Sequence, residues 1–200
     1  MNLQVLPGFK ASVYNTEQGL TMAVDTIFRF MSTITVLDKI KQLRQQAPGE
    51  KRFKELVVST IVGSSIIADW GNKRTYIVSD VDFSTNPVSQ KFVYDNGEIA
   101  VAQYMNDKFG LAVTDFNQPL LVVKHGDSMI HLVPEFCRVD GVPESIRSSP
   151  MNMRDCLAVC RTDPAQKMKK IYEAVGLLMQ QQVFKDFELS IESNPIDLSN

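Results

Sequence analysis

Short apolar, β-branched runs separated by turn residues are the feature that most constrains how the middle of this chain can fold. The runs are LVVSTIV, SSIIADW and RTYIVSDVDF; Gly63 separates the first two, and Gly71 with Asn72 separates the second from the third. β-branched residues favour strands, and Gly or Asn between such runs favours a tight turn. Several short strands joined by close turns are typical of a small β-barrel. We therefore expect an α+β chain with a small SH3/OB-like β-barrel at its centre.

The segment before the barrel predicts two antiparallel strands and a helix. VLPGFKASVY and GLTMAVDTIFRFMSTIT are apolar and β-branched, with a turn over residues 15–19 between them. Thr35 and Asp38 form a capping box in which Asp replaces the usual Glu, and the helix that they open covers residues 36–46. Residues 47–49 end that helix, and residues 50–55 are a charged connector to the barrel.

A strand and a helix are predicted as an insert in the barrel. We expect a strand that ends at Tyr94, a turn over residues 95–97, a helix from Asn96 or Gly97 to Gly110, and strands over residues 111–114 and 120–123. Asn is a common N-cap residue, and Gly tolerates the left-handed conformation just beyond the end of a helix.

Two rings and one ammonium group converge on the insert helix. Tyr104 and Lys108 are neighbours at i and i+4, and Phe109 lies next to them. A phenol and a lysine can bind phosphate oxygens while a ring stacks on a base, which is the usual combination for single-stranded nucleic acid. The same spacing also fits an ordinary helix whose core face consists of Val101, Tyr104, Met105 and Lys108.

A second candidate pair lies on the strand that follows the turn at Gly71. Arg74 and Tyr76 are two residues apart, so that both side chains lie on one face of a strand and can contact one ligand.

Beyond residue 143 the chain is predicted to be helical, with one helix over 151–161 and another that Asp163 caps and Pro164 begins, running to about residue 182. An apolar stripe follows this last helix at Met168, Ile171, Tyr172, Val175, Leu178 and Met179.

Charge and cysteine content limit the possible partners. The formal net charge of −2 argues against a broad basic face that coats duplex DNA or RNA, so any nucleic-acid contact should be local. Three cysteines give no disulfide framework, which fits a reducing compartment. His131, Cys137, Cys156 and Cys160 lack the CxxC spacing of a zinc site, so we expect no metal and no cofactor.

Location and catalysis can be judged from what the sequence contains. It has no apolar run of membrane-spanning length and no signal-peptide pattern, so we expect an intracellular protein, cytoplasmic or nuclear or both, that contacts no membrane. Both chain ends are abrupt, which suggests a fragment of a larger protein. His125, Asp127 and His131, or His131 with Cys137, can be drawn as a catalytic group, but no nucleophile-elbow, HExxH or Walker motif supports one.

Several motifs, in this order and spacing, carry a family resemblance over most of the chain. They are KRTYIVSDVDFSTNP, QYMNDKFG, NQPLLV, LVPEFC and GVPESIR. Together they resemble the PAZ domain of the Argonaute superfamily, in its Piwi branch. The resemblance implies a first linker over residues 1–49, the PAZ domain over 50–142 and a helical second linker over 143–200.

The resemblance also implies a function. In this family the cleft between the barrel and the insert receives the 3′ end of a single-stranded small guide RNA, and the cleavage activity of the superfamily lies in a separate domain that this chain lacks. The expected partners are that RNA end and the remaining domains of a parent silencing protein, not duplex DNA. Nine residues would form the site: Arg74, Tyr76, Phe92, Tyr104, Met105, Lys108, Phe109, His131 and Leu132.

Within that site the resemblance gives each group a role. Arg74, Tyr76, Tyr104 and Lys108 would bind phosphates and Phe92 or Phe109 would stack on the terminal base, while an apolar lining at the ribose would admit the 2′-O-methyl group of piRNA-like guides. Phe109, Met105 and Ala68 depart from the family, which often has a second Tyr, another aromatic residue and a phosphate-binding His at those positions. The alternative is a PAZ-like structural or protein-interaction module that has lost RNA binding.

Overall fold

The structure is a computed structural model that describes residues 3–17, 19–95, 97–192 and 194–196. The chain divides into two compact units. The first, here called the sheet unit, consists of Phe30–Glu144 with the first residues of the chain; the second, the flanking unit, consists of Val5–Arg29 with the segment from Ser145 onward. The division into two linkers and a PAZ domain stays a prediction.

Nine strands and seven helices make up the described chain. The strands are β1 (Leu3–Thr16), β2 (Gly19–Thr35), β3 (Ser65–Ala68), β4 (Thr75–Asp82), β5 (Lys91–Tyr94), β6 (Gly97–Ala100), β7 (Leu120–His125), β8 (Ser128–Leu132) and β9 (Cys137–Asp140). The helices are α1 (Val36–Gln46), α2 (Glu50–Ile61), α3 (Val101–Phe109), α4 (Glu144–Arg147), α5 (Pro150–Ala158), α6 (Pro164–Met179) and α7 (Gln182–Asp186), with a 3-10 helix at Pro134–Phe136.

The sheet unit is built on strands in the order β2-β9-β3-β4-β7-β8. Neighbouring strands in this order are antiparallel, and register irregularities interrupt the β2–β9 and β4–β7 pairs. Such bulges bend a strand and increase its twist. The predicted α+β class is confirmed, whereas closure of the sheet into a barrel stays a prediction.

Helix α1 begins and ends where the sequence predicts. Thr35 accepts a hydrogen bond from the backbone of Asp38, whose carboxylate in turn accepts one from the backbone of Thr35. This capping box satisfies two backbone donors at the start of the helix. Val36, Ile40 and Leu43 then share one face and are buried in the main core.

The predicted first barrel strand, LVVSTIV, is wrong, because residues 50–61 form helix α2. Phe53, Val57 and Ile61 recur every four residues and are buried, so the apolar pattern is helical when the charged residues before Leu56 are included. The predicted charged connector is therefore the first half of this helix. Local β-branched composition was outweighed by packing of the helical face on the sheet.

The insert consists of the hairpin β5–β6 followed by α3. The predicted helix start at Gly97 is wrong, since Gly97 pairs with Tyr94 in the hairpin and the helix begins at Val101; the alternative start, Asn96, lies outside the described residues. The helix ends at Gly110 in the left-handed conformation, as predicted. Residues 111–114, predicted as a strand, have no regular secondary structure.

A second core joins the insert to the segment after α3, to the start of β7 and to the residue that follows β8. Its buried residues are Val101, Met105, Val113, Leu120 and Val133. A hydrogen-bonded pair supports this core: Gln118 Nε2 donates to Glu135 Oε2 at 3.0 Å, and the backbone of Glu135 donates to Gln118 Oε1 at 3.0 Å. Glu135 also accepts hydrogen bonds from Thr114 and Asp115, so the irregular segment after α3 is held in place.

In the flanking unit, β1 and β2 are neighbours and α5 and α6 lie near their predicted positions. The predicted turn over 15–19 includes Gln18, which lies outside the described residues. Asp163 caps α6 by accepting hydrogen bonds from the backbones of Ala165 and Gln166. Lys167 forms an ion pair with Asp25 at 2.6 Å. Helix α7 was not predicted from the sequence.

Candidate nucleic-acid interface

A cavity of about 560 Å³ opens in the sheet unit, among the β3–β4 turn, the insert and β8. This volume lies within the range usual for small-molecule and cofactor pockets. Eight of the nine predicted site residues line it: Arg74, Tyr76, Phe92, Tyr104, Met105, Phe109, His131 and Leu132. The ninth, Lys108, is exposed and is not part of the lining.

Aromatic rings form the insert wall, which we define as Phe92, Tyr104 and Phe109. The ring centroid of Tyr104 lies 5.1 Å from that of Phe92 and 5.8 Å from that of Phe109, both with edge-to-face geometry. Tyr94 adds a further contact, 5.0 Å from Tyr104. Edge-to-face contacts of this kind stabilise the rings as a group and leave ring faces for a ligand.

Polar side chains form the opposite wall, the sheet wall, which we define as Arg74, Tyr76 and His131. Nη1 of Arg74 lies 3.2 Å from Nε2 of His125, and the rings of Tyr76 and His125 meet edge-to-face at 6.2 Å. Arg74 is exposed and Tyr76 is half-buried. This wall therefore presents a guanidinium and a phenol to the cavity.

Asp82 lies beside His131 of the sheet wall. Nε2 of His131 lies 3.7 Å from Oδ2 of Asp82. Hydrogen bonds from the Ser84 and Thr85 hydroxyls, with a smaller contribution from His131, lower the pKa of Asp82 to about 2. The Asp82 carboxylate is therefore ionised at neutral pH.

Below both walls the cavity floor is apolar. Met105 and Leu132 have exposed fractions of 3% and 6%, and each belongs to one of the two cores of the sheet unit. A ligand that reaches this floor meets hydrocarbon and thioether groups instead of water. Aromatic, cationic and apolar surfaces thus converge in one cleft, as binding of an unstacked nucleotide requires.

A comparison with protein families decides what kind of module this is. The family model described as "PAZ domain" matches residues 37–162. This chain belongs to the PAZ domain family. PAZ domains are nucleic-acid-binding modules, so the cavity lies in a fold used for that purpose.

Relatives of this PAZ chain include Piwi-like proteins. Piwi-like protein 1 of Gallus gallus is 28% identical over 203 residues, which cover 96% of this chain and 23% of that protein. Piwi-like protein 1 of Danio rerio is 31% identical over 185 residues, covering 87% of this chain and 21% of that protein. The chain thus spans about a quarter of the length of these relatives.

Solved structures confirm the fold. The crystal structure of Drosophila Piwi matches with a TM-score of 0.64 and 23% identity, over 96% of this chain and 24% of that one. In the part of the PAZ chain that the structure describes, no helix is long and apolar enough to cross a membrane.

Other residues of this PAZ chain line the cavity without having been predicted. Trp70 packs on both cores, and its ring centroid lies 6.3 Å from that of Phe109. The remaining lining residues are Ala68, Gly71, Asn72, Gln90, Val101, Met129, Ile130 and Val133. A large aromatic residue directly before the Gly71 turn was the available signal for Trp70, since turns beside a cleft often carry ligand contacts.

Two observations bear on the catalytic and metal-binding alternatives. Cys137 is fully buried, and burial, with a smaller contribution from Asp69, raises the pKa of its thiol far above the ordinary value, so the thiolate needed for a nucleophile is disfavoured. Among residues 3–17, 19–95, 97–192 and 194–196, no group of three or more His, Cys, Asp or Glu side chains is placed to hold a metal ion.

Proposed function

We propose that this chain binds the 3′ end of a single-stranded small guide RNA in the cavity between the insert wall and the sheet wall. In a larger Piwi-type protein it would act as the module that anchors the guide. The observation that carries the proposal is the meeting of aromatic and cationic side chains from two separate elements in one cleft of a PAZ fold.

The insert wall suits the terminal base. Phe92 and Phe109 flank Tyr104, and Phe92 is 36% exposed, so a ring face can receive an unstacked base. Stacking is worth about 1 to 3 kcal/mol per base and is tolerant of base identity. The site would therefore recognise an end of RNA and not a sequence.

The sheet wall suits the phosphates next to that base. Arg74 carries a permanent charge, and Tyr76 and Tyr104 bring phenol hydroxyls to the same cavity. Hydrogen bonds to a charged group such as a phosphate are worth roughly 1.5 to 3 kcal/mol each. Lys108 does not line the cavity, so we expect it to attract the RNA phosphates only weakly and from a longer distance.

The apolar floor suits the terminal ribose. Met105 and Leu132 are buried there, and His131 lies beside them. A methyl group on the 2′ oxygen would contact this floor without leaving a buried polar atom unpaired. We therefore expect piRNA-like guides with 2′-O-methyl ends to bind at least as well as guides with free hydroxyls.

Fluorescence anisotropy with 5′-labelled single-stranded RNA tests the proposal. RNAs that end in free hydroxyls or in a 2′-O-methyl group should bind in the micromolar range. A 3′-phosphate should weaken binding because it adds charge and bulk at the apolar floor, where the terminal ribose would lie. Duplex RNA and duplex DNA of the same sequence are the controls. Equal binding of all ligands, or none, would instead favour a PAZ-like structural or protein-interaction module.

A further inference from the structure

His125 lies outside the cavity lining but contacts two side chains that line it. Its Nε2 atom is 3.2 Å from Nη1 of Arg74, and its ring meets the ring of Tyr76 edge-to-face at 6.2 Å. Both of these neighbours are proposed to bind phosphate. The chain has only two histidines, and the second, His131, pairs with Asp82 instead.

The sheet register explains why His125 reaches both residues. In the β4–β7 pair, Val78 lies opposite Val123, so two residues further along each strand Tyr76 comes opposite His125 on the same face. Arg74 precedes β4 by one residue and shares the alternation of Tyr76. His125 is therefore a cross-strand neighbour of the pair.

The chemistry of the contact sets the direction of the hydrogen bond. A guanidinium has donors and no acceptor, so in this contact Nη1 of Arg74 donates and Nε2 of His125 accepts. Arg74 is exposed, and without a partner its long side chain would sample many rotamers, at an entropic cost when it binds a ligand. A bond to His125 reduces that freedom before the ligand arrives.

We propose that His125 is a positioning residue for RNA binding, which orients the Arg74 guanidinium toward the phosphates of the bound 3′ end. The inference rests on the proposed function of the cavity. His125 itself does not contact the RNA. Its effect on affinity therefore depends on the presence of Arg74.

A double-mutant cycle tests this dependence. Affinity for a 5′-labelled single-stranded RNA with free 3′ hydroxyls is measured at pH 8, where an ordinary imidazole is neutral, for the whole chain and for His125→Ala, Arg74→Ala and the double variant. His125→Ala should weaken binding by roughly threefold to tenfold. In the Arg74→Ala background the same substitution should change affinity by less than about twofold.

A conservative variant and a local control separate positioning from general structural effects. His125→Gln retains a neutral acceptor and should bind within about twofold of the unaltered chain. Ser128→Ala changes the residue that pairs with His125 across the β7–β8 turn and should leave affinity unchanged. Thermal unfolding midpoints of all variants show whether each one folds.

The outcomes distinguish the inference from the proposed function. If His125→Ala weakens binding by the same factor with and without Arg74, or if Arg74→Ala has no effect, the positioning role is overturned while RNA binding stands. Failure of His125→Gln to restore affinity in a folded variant also contradicts it. If the unaltered chain binds no RNA, the proposed function fails and this inference fails with it.

Discussion

The two walls of the cavity differ in how they are held and in what they offer a ligand. The insert wall consists of rings that contact one another and stand on the second core of the sheet unit. The sheet wall consists of polar side chains on β4, on β8 and on the residue before β4, with contacts such as those of Arg74 with His125 and His131 with Asp82. The insert wall thus offers a ligand ring faces that are fixed by packing. The sheet wall offers charged and polar groups whose side chains can each change orientation independently.

The largest effect is expected where the insert is packed. Met105→Ala removes a side chain that is 3% exposed, and the cavity left behind should lower the free energy of unfolding by about 2 to 5 kcal/mol. Met129 lines the same cleft but is 52% exposed, so Met129→Ala should change it by less than about 0.5 kcal/mol. Chemical denaturation measures both; equal losses would show that the floor of the cleft is not part of a packed core.

Removal of the central ring of the insert wall should affect binding next. Tyr104→Ala should weaken binding of single-stranded RNA by roughly tenfold to a hundredfold, because it removes a ring and a hydroxyl and leaves Phe92 and Phe109 unsupported. Anisotropy titration measures the loss. Tyr104→Phe keeps the ring contacts and should lose less than tenfold. A Tyr104→Ala variant that does not fold would make Tyr104 a core residue instead.

Next to the sheet wall, the ionised carboxylate of Asp82 stabilises the folded protein, and a fall in pH should remove this stabilisation. Since its folded pKa of about 2 is below the unfolded value of 3.8, the contribution is full above about pH 4 and is lost as pH falls through 2. Allowing for partial exposure, we expect Asp82→Asn to lower the free energy of unfolding by about 1 to 2 kcal/mol at pH 7 and by much less at pH 2, where about half of the native carboxylates are protonated. A difference that does not change over this pH range would contradict the ionised carboxylate.

The smallest effect distinguishes the two cations of the predicted site. Arg74→Gln should reduce the slope of log affinity against log salt concentration by about 0.7, because one phosphate contact to single-stranded RNA is lost. Lys108→Gln should leave the slope almost unchanged, since Lys108 does not line the cavity. Titrations over a range of salt concentrations compare them. A larger change for Lys108 would place the phosphates on the insert and reverse the assignment of the walls.

The comparison of the walls also shows what the sequence can predict. Helical spacing and capping signals are local, so the ends of α1 and the Gly110 end of α3 were predicted correctly. The β-branched run of α2 was misread as a strand, because its helical face is visible only when Phe53 is counted with Val57 and Ile61. In this segment the β-branched composition favours a strand, but packing of the buried helical face stabilises a helix instead.

Predictions about the site follow the same division. The strand alternation of Arg74 and Tyr76 could be read from their spacing, but contacts across the sheet could not, because they depend on the register of β4 against β7. The contacts that connect His125 and Trp70 to the site are therefore visible only in the structure. Lys108 shows the reverse case: its i, i+4 spacing from Tyr104 places it beside the ring, but the packing of α3 directs Tyr104, and not Lys108, into the cleft.

The most direct test of the central claim is photo-crosslinking with single-stranded RNAs that carry 4-thiouridine either at the 3′ terminal nucleotide or several nucleotides away from it. Crosslinked peptides are then identified by mass spectrometry. The account predicts that the terminal probe crosslinks to the insert wall or to Trp70, and that the internal probe does so much less. Crosslinks of equal yield from both positions, or crosslinks confined to α5 and α6, would contradict an RNA end held between the two walls.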